Sequence, residues 1–577
     1  MFPKQLLTKI AISSLLVLTG SLLSPASAAE VRSYIEGTDQ AAVVFDPLQV
    51  NNFEMTMSDS DFNKLTYPNV TNDNEGPWLS TVMKFTMAHK VYGPYTVGVH
   101  LKGAWGSWRD VNGKAGFKIK MDAFVKNQKL FGITKFTLNN MVQDGSYIHE
   151  ALTYRLFRGV GVPTPRVGYA NVTLNGRNYG LHLNVETIDT TMINRWGLEN
   201  KHLYKGGVPY FPDFYAGYEQ YFQVEDGSTT SKADLTKFIR ANQFTGDVWW
   251  NAITEIADME EITLDFATEA YVGHWDGYPY NHNNFFITFD SVGYAHMIPW
   301  GTDQTWGGQM DYFGSGTLLF QRCQGSDDCR EMYLQSLAKV ARTAKALDLG
   351  VMAEDVAAAI RSDIIADPWG PGIDSASGNQ SWTIWNVNNQ QAVLAGMTSA
   401  WDTGVQKVLV ADKEYAVTET AVLPAGTKTI EVQAIPFQPG ATSDVAAIAD
   451  LTSGINYAEV IVTSANGQHT GSATVPIYVL TKRSASAQVA FNSSSSTFSK
   501  AGYTKLAQLR FKLKKSVGLA LTFTMPNSRT AKALLDKRAS AVVNHLRAAG
   551  IKVSKFTKKL VAKGNPSELA ITMQYQN

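Results

Sequence analysis

Two short stretches of the chain concentrate carboxylates and carboxamides in an aromatic setting. Residues 273–290 read GHWDGYPYNHNNFFITFD, and residues 298–308 read IPWGTDQTWGG. Asp276 opens a polar loop that contains Asn281, Asn283 and Asn284, and a turn further on carries Asp303. Phosphoryl transfer needs a carboxylate to accept the proton of an attacking hydroxyl and, a few residues later, an amide oxygen to hold a divalent cation. It also needs a second carboxylate, one hairpin further on, for the metal that bridges the phosphates. Asp, then Asn, then Asp across a hairpin is that order. Asp and Asn also populate loops simply because they form Asx-turns, so the spacing suggests the chemistry without establishing it. The GxSxG, HExxH, GxxxxGK[ST] and GxGxxG signatures are missing, which argues against simple hydrolase, zincin, P-loop and Rossmann readings. The many Trp and Tyr near carboxylates prompt a carbohydrate-processing reading, but the spacing defines no acid–nucleophile pair.

The elements that must position these residues are partly legible. Phe53 to Met57 alternates like a strand, and Ser58-Asp59-Ser60-Asp61 has the form of a helix N-cap. Gly116 to Met121 alternates apolar residues with lysine, as a half-buried strand does. Ile148 to Val160 follows helical spacing and stops at Gly161, with Pro163 and Pro165 beyond. Val167 to Val185 reads as a hairpin turning at Asn175-Gly176. Asp265 to His274 is predicted helical, Asn284 to Pro299 a hairpin turning near Asp290-Ser291, and Glu331 to Ile365 mostly helical. Ala29 to about Val43 reads as a linker.

With these elements in place, the chain resembles the spore coat protein H kinase family (CotH kinase) from roughly Val50 to Leu347. The resemblance rests on LKGAWGSWRDVNGKAGFKIKMD, on DGSYIHEALTYRLFRGVGVPTPRVGYANVTLNGRNYGLHLNVETID, on LYKG, and on WDG…NNFF followed by IPW and D.TWG. It implies an α+β atypical protein-kinase-like core that uses ATP with Mg²⁺ or Mn²⁺ and phosphorylates Ser or Thr of surface or extracellular proteins. Asp276 resembles the catalytic aspartate. Asn284 resembles the metal-binding asparagine, with Asn281 as the competing choice. Lys114 or Lys118 would contact the ATP phosphates, and Glu186 resembles the acidic residue beside the adenine site. The family often has Pro-Trp-Asp-x-Asp where this chain has Pro299-Trp300-Gly301-Thr302-Asp303. Gly301 cannot ligate a metal through a side chain, so the resemblance leaves Asp303 as the metal ligand. It also leaves open a catalytically weak or dead kinase fold serving as a surface scaffold.

Length and composition bound the rest. The chain has 577 residues, 44% hydrophobic and 11% aromatic, which argues for several packed domains and against a disordered or coiled-coil protein. Lys4 and Lys9, the apolar run Ile10 to Leu23 and Ala26-Ser27-Ala28 predict a signal peptide over 1–28, and therefore a secreted or cell-surface protein. No later stretch reaches the about 18 consecutive apolar residues of a membrane span. The two cysteines, Cys323 and Cys329, are predicted to close a local disulfide in an oxidising compartment, since a zinc site would need about four ligands. The expected order is a kinase-like domain over 43–405, a β-sandwich over 406–482 and a small α/β domain over 487–577, joined by a linker at Lys482 to Ser486. The sandwich resembles cadherin-like or immunoglobulin-like modules through its strand spacing and Leu451-x-x-Gly454-x-Asn456 turn. The last segment resembles a degenerate OmpA-like peptidoglycan-binding domain, in which Arg538 matches the carboxylate-binding arginine. Its 12 Lys and 4 Arg face only Asp536 and Glu568, a net charge of +14. That charge predicts attraction to an anionic cell-wall polymer; nucleic acid is not the expected partner of an exported chain.

Overall fold

The computed structural model describes residues 32–65, 76–227, 231–528 and 530–576. The expected signal peptide over 1–28 lies outside the described residues. Seven strands close a barrel: β1 (Val50–Thr56), β2 (Leu79–Met87), β3 (Lys90–Lys102), β4 (Gly116–Lys120), β5 (Lys135–Asn139), β6 (Val167–Leu174) and β7 (Arg177–Glu186). Their order is β1-β2-β3-β4-β5-β7-β6, and β6 returns parallel to β1 to complete the ring. Period-two patterning builds this lobe. In β2 every second residue is buried, and the inward Phe53, Phe85 and Phe136 meet with ring centroids 4.9–5.8 Å apart. Ser58 caps the one-turn helix α1 (Asp59–Phe62), as its sequence predicts. The β6–β7 hairpin turns at Asn175 and Gly176, both with positive φ, which is why this dipeptide marks the turn.

Helix α2 (His149–Val160) ends at Gly161 in the left-handed region and links the barrel to a helical lobe. That lobe comprises α3 (Thr190–Arg195), β8 (Asn200–Lys205), β9 (Gln223–Asp226), α4 (Ala233–Ala241), α5 (Gly246–Thr254), α6 (Met259–Val272), α7 (Tyr278–Asn281), β10 (Phe285–Asp290) and β11 (Ala295–Pro299). It closes with α8 (Leu318–Gln324), α9 (Asp327–Leu347), α10 (Leu349–Ala366) and α11 (Ile373–Thr398). The strands order as β11-β10-β8-β9. Cys323 and Cys329 are joined in a disulfide across the α8–α9 turn. Helix α6 begins six residues earlier than its apolar pattern suggests, because Asp258 caps it and Glu260-Glu261 occupy its first turn. Helix α11 was not expected. Its buried face includes Gln380, Thr383, Asn386 and Gln390, so no apolar stripe marks it.

Two linker expectations are corrected. Residues 40–45 form a 3₁₀ turn that buries Val44 and Phe45, and Glu36 and Asp39 ahead of it pair with Arg155, Arg158 and Arg166. Residues 482–486 are the first half of a strand, Lys482–Ala490, paired with Glu568–Gln576. Between them, two four-stranded sheets enclose Val408, Val432, Val460 and Ile477. They adjoin α9 through His469–Glu331 (2.7 Å) and Arg342–Asp402. The final sheet has four strands rather than three, packed with helices Lys500–Leu513 and Ala531–Ala548. Among the described residues, no helix is long and apolar enough to cross a membrane.

A buried ion pair ties the lobes together. Lys114 Nζ lies 2.5 Å from Asp367 Oδ2 just past α10 and donates to Tyr147 Oη at 3.1 Å. The same carboxylate accepts from the Leu181 amide of β7, and Gly180 leaves room for it. Removing one partner of a buried pair leaves an uncompensated charge. Lys114→Met should therefore cost about 3–5 kcal/mol of unfolding free energy in a urea titration. Lys118→Met, on the barrel's outer face, should cost about 1 kcal/mol or less.

Candidate active site

The cleft between barrel and helical lobe has a volume of about 850 Å³, within the range of small-molecule sites. From the barrel come Lys102, Lys118 and Lys135; from the helical lobe come Lys205, Asp276, the asparagines and Asp303. Lys118 faces the cleft because β4 turns Phe117 and Ile119 into the barrel core and leaves the lysines outside.

Asp276 is positioned by the end of α6. Gly273 adopts φ 74° as the helix terminator, and the chain turns through His274 and Trp275 into α7. A carboxylate can only accept, and three amide groups converge on this one. Asn281 Nδ2 donates to Oδ1 at 2.6 Å, Asn283 Nδ2 reaches both oxygens at 3.2 Å, and Asn284 Nδ2 donates to Oδ2 at 2.8 Å. The loop is anchored from behind by Asp213, a residue that sequence reasoning missed. Its carboxylate accepts from Tyr278 Oη (2.8 Å) and the Leu318 amide (2.8 Å) and pairs with His282 (3.2 Å).

Asn284 and Gly301 fit against each other. Asn284 sits at φ 48° and Gly301 at φ 57°. A Cβ on Gly301 would lie 2.7 Å from Asn284 Oδ1. A side chain at the position that breaks the expected Pro-Trp-Asp pattern would therefore press on the asparagine beside it. The buried His274 completes the contact by donating from Nε2 to the Gly301 carbonyl at 3.2 Å. Burial pushes the His274 imidazole down to about 4, so it is neutral at physiological pH.

Asp303 is half-buried on the cleft wall, and its carbonyl accepts from His149 Nδ1 at 2.8 Å. Burial pushes its carboxyl up to about 6, with the charge of Lys102 opposing and that of Asp144 adding. Behind it, burial and then Asp303 raise Glu150 to about 8, while Asn139 Nδ2 donates to Glu150 Oε2 at 2.8 Å. Neither Asp144 nor Glu150 was singled out in the sequence; the only trace is the DGSYIHE run that places both near His149. Asn139 Oδ1 and Glu150 Oε1 are buried with no hydrogen-bond partner among the described residues.

Three expected site residues lie elsewhere. Lys114 is in the inter-lobe ion pair and does not line the cleft, which leaves Lys118 as the cleft-facing member of the pair. Glu186 is turned away from the cleft between Arg166 (2.9 Å) and Arg195 (2.6 Å), whose charges overcome burial and hold it below the usual carboxylate range. Arg538 is fully buried. Its guanidinium donates to the carbonyls of Ser495 and Pro566 and lies 4.6 Å from the Phe491 ring centroid, so it is a structural cation closed to a wall polymer.

Gly301→Asp, the substitution that restores the family carboxylate, should destabilise the protein by about 1–3 kcal/mol in thermal or urea unfolding, because the new side chain meets Asn284 at a positive φ. A second test uses pH. A carboxyl raised from 4.5 to about 8 lends the fold stability that is complete below 4.5 and lost as pH rises through 8. Urea midpoints measured from pH 6 to pH 9 should therefore fall in the wild type and fall less in Glu150→Gln.

The central part of the chain is similar to known proteins. Residues 99–361 match the family described as CotH kinase protein. The inner spore coat protein H of Bacillus subtilis (strain 168) is 23% identical over 200 residues, covering 32% of this chain and 53% of that protein. The chain thus spans about half the length of the curated relative it matches. The matched segment holds β4 to β7, the cleft with its Asp276 loop, and α9, and over that segment the chain is similar to the CotH kinase family.

Proposed function

We propose that the chain is an exported, coat- or surface-associated protein kinase that transfers the γ-phosphoryl group of ATP to Ser or Thr hydroxyls of other extracytoplasmic proteins. The observation that carries this reading is Asp276, a carboxylate fixed by three amides at the edge of a lysine-lined cleft. In this role Asp276 accepts the proton of the attacking hydroxyl as its oxygen bonds to the γ-phosphorus and the bond to the β-phosphate oxygen breaks. Lys118, with Lys102 and Lys205, supplies positive charge for the phosphates. Asp303 and Asn284, with Asn281 as the alternative amide, would hold the divalent cation. When bound there, Mg²⁺ or Mn²⁺ supplies neutralisation of the charge that develops on the phosphate oxygens.

A second reading is favoured by one observation: Gly301 contributes no carboxylate, so the cleft has one acid fewer than the family pattern. On that reading the fold is a catalytically weak or dead scaffold at the cell surface.

Intact mass after incubation with ATP and Mg²⁺ or Mn²⁺, with a generic acceptor protein present, separates the two. The kinase reading expects metal-dependent phosphate increments in the wild type, reduced by about 10²-fold or more in Asp276→Asn. No increment in the wild type, or equal increments in both proteins, would remove Asp276 from the role of base.

A further inference from the structure

A second group of ligand-type side chains lies outside the cleft, at the far end of the hairpin that carries Asn284. Asp258, Glu261 and His296 each bring one ligand atom within 4.8 Å of the others, and none of them lines the cleft. Asp258 is the N-cap of α6, its Oδ1 accepting from the Glu261 amide at 3.0 Å, which leaves Oδ2 for another partner. Glu261, one turn on and buried, accepts from the Met297 amide with Oε1 (3.1 Å) and lies 2.7 Å from His296 Nδ1 through Oε2. The Asp258 amide also donates to the Ala295 carbonyl at 3.0 Å, which fixes the cap against the start of β11.

His296 brings a ring nitrogen into the same largely buried place as the two acids. It is 4% exposed, and its Nε2 has no hydrogen-bond partner among the described residues. The nearest acceptor is Asp290 Oδ2, 4.0 Å away across the hairpin. The other oxygen of Asp290 is already taken by the amides of Val292 and Tyr294. One imidazole is therefore surrounded by three carboxylates, an excess of negative charge in a largely buried place. Burial raises Glu261 to about 7, with Asp258 adding to the shift and His296 opposing it.

We propose that Asp258, Glu261 and His296 form a structural site for a divalent transition-metal ion of the zinc class, pinning the N-terminus of α6 to the β10–β11 hairpin. The ion takes the place of the proton shared by His296 Nδ1 and Glu261 Oε2, and Asp258 Oδ2 supplies the third ligand. Metal–ligand bonds of about 2.0–2.2 Å need only small side-chain shifts from this arrangement. With Nδ1 on the metal, the ring proton resides on Nε2, on the side of Asp290. Asp258 is only half-buried and leaves one coordination position open to water. One imidazole with two carboxylates suits zinc or manganese better than calcium.

The consequence reaches the cleft through the scaffold. Helix α6 delivers Asp276 from its other end, and the hairpin delivers Asn284 and Asp303 from its open ends. The test uses the purified protein, stripped with chelator, loaded with zinc chloride and desalted, with zinc per chain counted by elemental mass spectrometry. Asp258→Asn keeps a good helix cap, and Glu261→Gln keeps an acceptor for the Met297 amide, so both remove ligand charge with the fold retained. Each variant should hold one zinc fewer per chain than the wild type, and the zinc-induced rise in Tm should disappear. A folded variant that retains the full zinc count, or a wild type that binds none here, overturns the proposal; if one variant fails to fold, the other decides. Zinc taken up in the cleft would appear equally in all three proteins, so this result is independent of the phosphoryl-transfer reading.

Discussion

The convergence of three amides on one carboxylate governs the geometry of the cleft. Asn281, Asn283 and Asn284 can all donate to Asp276 only if the chain reverses sharply between α7 and β10, and His282 and Asn284 accordingly take positive φ. Once Asn284 turns its Nδ2 to Asp276, its Oδ1 occupies the space where a side chain on residue 301 would stand. The glycine, the left-handed turn after β11 and the contact from His274 to the Gly301 carbonyl follow from that placement. Gly277 belongs to the same set, since a Cβ there would meet the buried Glu269 carboxyl at 1.9 Å.

Charge is divided between the two lobes. The barrel contributes Lys102, Lys118 and Lys135 from strand faces that cannot turn inward, because their neighbours fill the barrel. The helical lobe contributes buried acids whose ionisation is resisted by desolvation: Asp303, Glu150 and, beneath the loop, Glu269. The inter-lobe ion pair of Lys114 and Asp367 keeps the two charge sets facing each other.

What could be read from the sequence was what local chemistry encodes. Capping and turn residues marked α1, the end of α2 and the β6–β7 turn, and the WDG and NNFF runs marked the loop that the structure builds around Asp276. Closure of the barrel was not legible, because the parallel pairing of β1 with β6 joins segments more than a hundred residues apart. Nor was α11, whose polar buried face answers polar groups such as the Ser146 carbonyl rather than an apolar core. Lys114, Glu186 and Arg538 show the limit for charged residues. Each matched a functional position by type, yet each is buried against partners that only the fold supplies.

The Gly301 departure illustrates why a missing ligand should be judged by its neighbours. Read alone, a glycine at a family aspartate position removes a carboxylate from the metal shell. In this cleft the space is already committed to the Asn284 amide, and the acid two residues later stands on the wall with its carboxyl half-buried and its backbone held by His149. An aspartate at 301 would press on the amide that orients Asp276, so the acid of this turn that faces the cleft is Asp303.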